Sequence, residues 1–251
     1  MTPRKINQLI SENLYDKDFI HQNNYTVLQE CGLFTDVPEE HLKVLLKDFY
    51  LEKWPRQTCL VHCEKFLFHF YIIKNGRVKM YHTDFDSAKE HTIFLLKKGD
   101  VFDLFCLLDG IKHKAYYECL DHTEVLAIPM DKLRSWLQSY PEYYKNFLSY
   151  AGRSMRMLEE NVSQLVFRNI TTRLLHLLLK NIDRTSNKLQ NINDLPDKEL
   201  AFLIGSSRAV VNRHLQKMKK MGLIKISRIK VQVEDVSLLM EHLENNRINK
   251  N

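Results

Sequence analysis

Glycine is scarce in this chain, at seven of 251 residues. A phosphate-binding glycine loop, the G-x-S-x-G elbow of hydrolases and the H-E-x-x-H motif of zinc proteases are all missing, although each would mark a common type of catalytic site. These absences argue against an enzyme, and we predict a protein without catalytic residues. Each of the few glycines is expected to mark a turn.

Cysteine is sparse and irregularly spaced. The five cysteines are an odd number and form no disulfide framework; they stand at positions 31, 59, 63, 106 and 119. Only Cys31 precedes the strand-rich region, whereas an oxygen-sensing iron–sulfur cluster needs four thiolates. Cys59 and Cys63 would lie about 13 Å apart on an extended strand. We interpret the cysteines as small core residues, with redox sensing by one or two exposed thiols as the alternative.

Long apolar runs and clustered metal ligands are also missing. No apolar run approaches the roughly 18 residues that cross a bilayer, and the start of the chain lacks a secretory signal pattern, so we expect a cytoplasmic protein. The 11 histidines show no close, repeated spacing, so we predict no metal site. Haem binding through His62, His69 or His91 is supported by nothing beyond the presence of histidine.

The chain does contain a series of short strand-like segments between about Leu51 and Met130. Turn signals such as Asn75-Gly76 and Asp109-Gly110 separate six segments rich in β-branched and aromatic residues, namely TCLVHCE, FHFYIIK, RVKMYHT, HTIFLLK, AYYECL and EVLAIPM. This spacing predicts an antiparallel barrel or roll. Before it, residues 1–32 predict a helical extension and residues 39–50 an amphipathic helix.

A long helix is predicted next, beginning near Pro141. Six of its apolar residues are spaced alternately three and four apart, which makes a heptad seam about 26 Å long; they are Leu148, Ala151, Met155, Leu158, Val162 and Leu165. Charged residues flank this stripe, so we predict a parallel two-helix coiled coil between two subunits. Packing of the stripe on the barrel of the same chain is the alternative. Asn169 ends the seam and can cap the following helix.

Residues 196–233 predict two short helices, a tight turn between them and a β-hairpin after them. One face of the first helix is apolar, through Leu200, Ala201 and Ile204. Gly205 stands where a sharp turn needs a positive φ, and Ser206 or Ser207 can cap the second helix. This pattern is typical of a helix-turn-helix with a wing.

The second helix of this motif carries side chains suited to DNA. Arginine can bond bidentately to guanine and asparagine to adenine; the candidate DNA-binding residues are Ser206, Ser207, Arg208, Asn212, Arg213 and Lys217. Between Val166 and Lys230 there are 14 Lys and Arg against four Asp and Glu, a net of +10, although the whole chain carries only +6. A basic domain beside a mildly acidic one favours attraction to phosphate. We therefore predict binding to double-stranded DNA.

The order of roll, seam helix and winged helix-turn-helix resembles the Crp/Fnr (catabolite activator and fumarate-nitrate regulator) family of bacterial transcription regulators. Matching stretches include LFTDVPEEHLKVLL, YIIKNGRVKMYHTD, KKGDVFDL, EVLAIPMDKLRSWL and IGSSRAVVNRHLQKMKKMGLI. The resemblance implies a homodimer that binds a pseudo-palindromic site and contacts RNA polymerase. Ala209 stands where the family often has a cytosine-reading Glu, which predicts an unusual operator.

The resemblance also places a possible effector pocket at Asp103, Leu104, His113 and Lys114. Cyclic-nucleotide binders of the family hold the ribose hydroxyl with a Glu, and Leu104 occupies that place. A leucine accepts no hydrogen bond, and Asp103 would repel a phosphate at short range. We therefore expect no cyclic nucleotide, although His113 and Lys114 could attract another anion.

The resulting expectation is an α+β chain of four parts: a helical extension (1–32), a cyclic-nucleotide-binding-like β-roll (33–139), a dimerisation helix (140–168) and a winged helix-turn-helix domain (169–251). Its function is that of a dimeric transcription regulator, with activation favoured over repression. The alternative is a β-roll signalling module without direct promoter binding, controlled by thiol redox state, haem or a protein partner.

Overall fold

The computed structural model describes residues 24–60, 65–84, 86–87, 89–102, 104–111, 114–183, 185–227 and 230–248, except for the side chains of 65, 66, 247 and 248. The described residues form two compact units. The first comprises those up to Val78 together with Leu96–Ser154, and the second comprises Lys79–Leu95 together with those from Met155 onward. The hairpin of residues 79–95 therefore groups with the C-terminal part of the chain. The domain boundaries inferred from sequence remain predictions.

A helical segment at residues 24–30 precedes the named elements. In chain order these are α1 (Glu39–Leu46), β1 (Tyr50–Trp54), β2 (Cys59–Leu60), α2 (Lys65–Phe68), β3 (His69–Asn75), β4 (Val78–Asp84), β5 (Lys89–Leu96), β6 (Val101–Phe102), α3 (Leu104–Asp109), β7 (Tyr116–Cys119), β8 (Thr123–Pro129), α4 (Met130–Ser139), α5 (Tyr144–Phe167), α6 (Ile170–Lys180), α7 (Asp197–Leu203), α8 (Arg208–Lys220), β9 (Ile224–Ile226), β10 (Val231–Val233) and α9 (Val236–Ile248). A 3₁₀ turn, Pro141–Tyr143, leads into α5.

The first unit is built on an antiparallel sheet with the order β1-β8-β3-β6. Strand β8 is central: Ala127 faces Tyr50 on β1 and Tyr71 on β3. β2 pairs antiparallel with β7, Cys59 opposite Glu118. The strand-rich sequence pattern therefore forms the predicted antiparallel roll, and α4 follows directly from β8.

Aromatic rings fill the helical side of this unit. Phe34 lies edge-on to Trp136 and Phe147, with ring centroids 6.1 and 5.9 Å away. All three side chains are buried, in a cluster that includes residues of α1, β3, β8, α4 and α5. Each of these rings buries a large apolar area, and their edge-on contacts add to the stability of the core.

Two predictions about this unit need correction. The helix predicted for residues 39–50 ends at Leu46, because Tyr50 already pairs with Ala127 as the first residue of β1. The stretch predicted as short strands separated by turns also contains α2, Lys65–Phe68, and the longer α3, Leu104–Asp109. Arg134 of α4 donates to the carbonyl of Cys106 at 2.8 Å and so satisfies a backbone acceptor in that short helix.

The second unit contains the hairpin of β4 and β5, which are hydrogen-bonded neighbours, and the helices from α6 onward. Asn169 accepts a hydrogen bond from the Thr172 amide and caps α6 as predicted. The core of this unit is aliphatic and includes Leu174, Leu178, Leu200, Val211, Leu215, Ile224 and Leu239. Among the described residues, none of the helices combines the length and apolar character needed to cross a membrane.

Candidate nucleic-acid interface

The turn between α7 and α8 depends on Gly205. Its φ is +61°, the positive value predicted from sequence, and a Cβ there would lie 2.7 Å from Leu165 Cδ2. Arg173 of α6 donates from Nη1 to the Ile204 carbonyl at 2.6 Å, which holds the turn from outside the motif. The positive φ favours glycine here, and a larger residue would also have to displace the end of the Leu165 side chain.

Helix α8 begins at the serine pair, as predicted. Ser207 is the N-cap, and its Oγ accepts from the Val210 amide at 3.4 Å. Val211 and Leu215 are buried against α7 and the rest of the domain. The period of the helix therefore turns the intervening polar residues outward.

The structure brings the predicted DNA-binding residues together on one exposed surface of α8. Ser206 is half-buried in the turn, and the others are exposed: Ser207, Arg208, Asn212, Arg213 and Lys217. Arg208 and Asn212 are one helical turn apart, so both can reach into the same groove. Ala209 is exposed beside them, which leaves a small apolar side chain where the family often has a carboxylate.

A contact that the sequence pattern did not predict lies at the edge of this surface. Asn212 Nδ2 donates to Asp197 Oδ2 at 2.7 Å. Asp197 is the first residue of α7, 15 residues earlier in the chain. No periodicity within one helix signals a pair that forms across a turn.

The hairpin after α8 has the form of a wing. Ile226 of β9 pairs with Val231 of β10, and Ile224 with Val233. The Leu223 amide donates to the Met218 carbonyl at 3.0 Å, so the wing starts directly from the end of α8. The wing is therefore joined to the end of α8 by a backbone hydrogen bond.

The predicted seam on α5 has two rows with different exposure. Leu148, Met155 and Val162 are seven residues apart and between 58% and 63% exposed. The other row is half-buried within the chain and consists of Ala151, Leu158 and Leu165. α5 therefore presents an apolar ridge to solvent, continued by exposed Val166 and Phe167.

The predicted effector pocket is only partly within the described residues. Asp103 and His113 lie outside them. Leu104 is buried at the start of α3, and Lys114 is exposed. The side chain at position 104 therefore offers no hydrogen-bond acceptor to a ribose.

Four aromatic rings meet edge-on in the interior of the roll. Phe102 lies 5.6 Å from Trp54, 6.0 Å from Tyr71 and 5.3 Å from Tyr117, measured between ring centroids. Phe102, Tyr71 and Tyr117 are each 1% exposed. Rings in mutual edge contact leave this part of the interior packed.

The described cysteines differ sharply in environment. Cys31, Cys106 and Cys119 are buried, whereas Cys59 is exposed. Burial raises the pKa of Cys31 to about 12 and that of Cys119 to about 11, so both thiols stay protonated. Cys63 and His62 lie outside the described residues. Among the described residues, there is no cluster of three or more His, Cys, Asp or Glu that could hold a metal.

Comparisons with protein families agree with this architecture. Residues 51–140 match the profile of the cyclic nucleotide-binding domain, and residues 172–242 match that of the Crp-like helix-turn-helix domain. A CRP-like cAMP-activated global transcriptional regulator of Mycobacterium tuberculosis is 26% identical over 215 residues, 83% of this chain and 95% of the relative. The cyclic AMP receptor protein of Thermus thermophilus is 25% identical over 209 residues, again 83% of this chain and 95% of the relative.

Solved structures share the fold. A mutant of CooA from Carboxydothermus hydrogenoformans aligns with a TM-score of 0.66 at 22% identity, over 85% of this chain and 95% of that one. The c-di-GMP responsive regulator CLP of Xanthomonas campestris aligns with a TM-score of 0.67 at 16% identity, over 79% of this chain and all of that one.

Proposed function

The chain belongs to the Crp/Fnr family of transcription regulators, and from that premise we propose that it works as a homodimer on pseudo-palindromic double-stranded DNA. Helix α8 is its recognition helix, and Arg208, Asn212 and Arg213 are its base- and phosphate-contacting residues. Effector sensing is assigned to residues 33–139, dimerisation to 140–168 and DNA binding to 169–251.

The observation that carries this proposal is the outward surface of α8. Ser207 caps a helix whose exposed side bears Arg208, Asn212, Arg213 and Lys217. Arginine and asparagine offer the bidentate donors and acceptors that read base edges in the major groove. The net charge of +10 between Val166 and Lys230 supplies the attraction to phosphate that positions such a helix.

Dimerisation is supported by the ridge on α5. Three apolar side chains seven residues apart, each more than half exposed, are costly in water unless a partner covers them. A second copy of the same helix is the occupant that a heptad repeat fits. Two recognition helices can then enter successive major grooves roughly 34 Å apart.

We propose that the roll does not use a cyclic nucleotide in the way of the cAMP-activated relatives. Leu104 is buried where those proteins hold a ribose hydroxyl with Glu, and a leucine leaves that hydroxyl without an acceptor. Calorimetry with cAMP and cGMP tests this proposal: we expect no heat of binding, and micromolar affinity for either nucleotide would contradict it.

On family analogy we further propose that the bound dimer contacts RNA polymerase and activates transcription. In vitro transcription from a promoter that carries the selected binding site tests this part. An increase in transcript is expected, and a decrease would identify a repressor.

Binding to DNA is tested by fluorescence anisotropy with promoter fragments at several salt concentrations. Each phosphate neutralised by Lys or Arg contributes about −0.9 to the slope of log K against log salt. We expect a slope steeper than about −4, together with a preference for one sequence. A flat salt dependence would contradict the proposal and favour a signalling module that acts through a protein partner.

A further inference from the structure

The hydrogen bond between Asn212 and Asp197 lies where the recognition helix would meet the bases. Asn212 is exposed in the second turn of α8, with Arg208 one turn before it and Arg213 beside it. Its Nδ2 donates to Asp197 Oδ2 over 2.7 Å. A residue suited to base recognition is therefore held by a second side chain.

This contact determines which way the amide of Asn212 points. An ionised carboxylate only accepts hydrogen bonds, so the NH₂ group must face Asp197. The amide oxygen of Asn212 then points away from Asp197, with one N–H still free. Without such a partner, the amide of an asparagine could rotate by half a turn and present either its oxygen or its NH₂ group to a base.

The fixed orientation restricts the bases that Asn212 can read. In the major groove, adenine and cytosine present an amino donor that an amide oxygen can accept from. Guanine presents only the acceptors N7 and O6, and thymine presents the acceptor O4 beside its methyl group. When the amide oxygen of Asn212 faces the base, it can therefore accept a hydrogen bond from adenine or cytosine. Opposite guanine or thymine, the same oxygen finds no donor.

We propose that Asp197 is a specificity-determining residue that positions Asn212 to accept a hydrogen bond from the amino group of adenine or cytosine. This inference rests on the proposed function, because it assumes that α8 enters the major groove. Asp197 itself contacts no base. It acts through Asn212, from the first turn of the preceding helix.

Asp197 also places a negative charge at the edge of a basic surface. It is one of only four acidic residues between Val166 and Lys230, against 14 basic ones. A carboxylate near the DNA backbone repels phosphate. This charge should lower the affinity for every sequence, so the contribution to DNA binding that we assign to Asp197 is the orientation of Asn212.

A purely structural role for Asp197 makes a different prediction. Asp197 lies in the first turn of α7, where a negative charge stabilises the helix N-terminus. If that were its whole contribution, its loss would weaken binding to every sequence alike. The preference for one base at one position would remain as it was.

Selection of binding sites from random DNA separates these two roles. The wild type is compared with Asp197→Ala, with Asp197→Leu, whose side chain is branched like that of Asp but accepts no hydrogen bond, and with Asn212→Ala. The wild type should select adenine or cytosine at one symmetric position in each half-site, by about tenfold over guanine or thymine. Asn212→Ala identifies that position, because this variant should lose its base preference there and at no other position.

In Asp197→Ala, discrimination at the same position should fall below about threefold, while every other position keeps its preference. Asp235→Asn is the matched control, because Asp235 accepts from the Leu238 amide at the start of α9, away from α8. It should leave the whole selected sequence unchanged. Circular dichroism confirms that each variant is folded, and Asp197→Leu replaces Asp197→Ala in the test if Asp197→Ala does not fold.

Two results would overturn the inference while leaving the proposed function intact. One is an unchanged base preference at every position in both Asp197 variants. The other is a wild-type preference for guanine or thymine at the position that Asn212→Ala identifies. If the wild type selects no sequence at all, the proposed function itself is wrong, and so is the role proposed for Asp197.

Discussion

Lys79 of β4 donates to Glu199 of α7 at 3.1 Å, across 120 residues of sequence. The same Nζ donates to Glu90 of β5 at 2.7 Å. Lys79 is only 2% exposed, and its ammonium lies 5.2 Å from the centre of the Phe202 ring. A buried cation between two carboxylates thus joins the hairpin to the first helix of the DNA-binding motif within the second unit.

Lys79→Met should destabilise the protein by about 3–5 kcal/mol, because it leaves two partly buried carboxylates facing each other without a cation. Glu199→Gln should cost less, since Lys79 keeps its bond to Glu90. Urea unfolding followed by circular dichroism measures both free energies. The control is Lys225→Met, which removes an exposed partner of Glu234 and should cost less than about 1 kcal/mol. Equal effects of Lys79→Met and Lys225→Met would contradict this role of the buried cation.

Met155→Glu should weaken dimerisation by about 100-fold or more, because a charge would then be buried in the seam between two α5 helices. In a single chain Met155 is 63% exposed, so the variant should keep its fold. Sedimentation velocity over a range of concentrations measures the dissociation constant. Ser163→Glu is the control, since Ser163 is also exposed on α5 but lies outside the stripe. An unaltered dimer in Met155→Glu would show that α5 is not the interface.

Protein stability should fall as the pH is lowered through the range where histidine titrates. Burial lowers the pKa of His91, which bonds to the Phe202 carbonyl at 2.9 Å; nearby Arg173 and His82 lower it further. Burial lowers the pKa of His214 as well, with Arg213 and Lys217 adding to the effect. The unfolded chain therefore binds protons that the folded chain does not, and unfolding becomes easier below the ordinary histidine pKa of 6.5.

Thermal unfolding between about pH 5.5 and 7.5 measures this dependence. His91→Gln should reduce the slope, because glutamine has no proton to gain. Burial raises the pKa of Asp100 above 3.8, and this shift has the opposite effect on the pH dependence of stability. A wild-type protein that became more stable on acidification from pH 7.5 to 5.5 would contradict the sign derived for these histidines.

Cys59 should react with iodoacetamide much faster than Cys31, Cys106 or Cys119 under native conditions. Cys59 is exposed, whereas a protonated, buried thiol is a poor nucleophile. Peptide mass spectrometry after timed alkylation gives each rate. In urea, where burial no longer protects the thiols, the four rates should converge. Rapid native labelling of Cys31 or Cys119 would be inconsistent with their raised pKa values.

Local signals predicted the DNA-binding motif well. The positive φ of Gly205 and the caps at Asn169 and Ser207 depend on a few neighbouring residues, so the sequence carries them directly. The end of α1 was predicted four residues too late, because no Gly or Pro ends that helix and the first strand pairs with a segment almost 80 residues away. Sequence periodicity carries no information about such distant pairing.

The contacts of Lys79 and Asp197 were missed for the same reason. In sequence, Lys79 is one polar residue on a strand, and its burial depends on carboxylates at positions 90 and 199. In sequence, Asp197 is an ordinary acidic residue at the start of a helix. Only the turn at Gly205 brings it within hydrogen-bonding distance of Asn212. In both cases the fold gives the side chain a partner that its neighbours in sequence do not reveal.

Arg208→Ala tests most directly whether the exposed side of α8 reads DNA. Anisotropy titrations with the selected site and with a scrambled duplex should show a loss of roughly 1–3 kcal/mol for the selected site and a reduced ratio between the two. Arg56→Ala removes the same charge from an exposed turn of the roll and should leave both affinities nearly unchanged. If Arg208→Ala binds the selected site as tightly as the wild type, α8 is not the recognition helix.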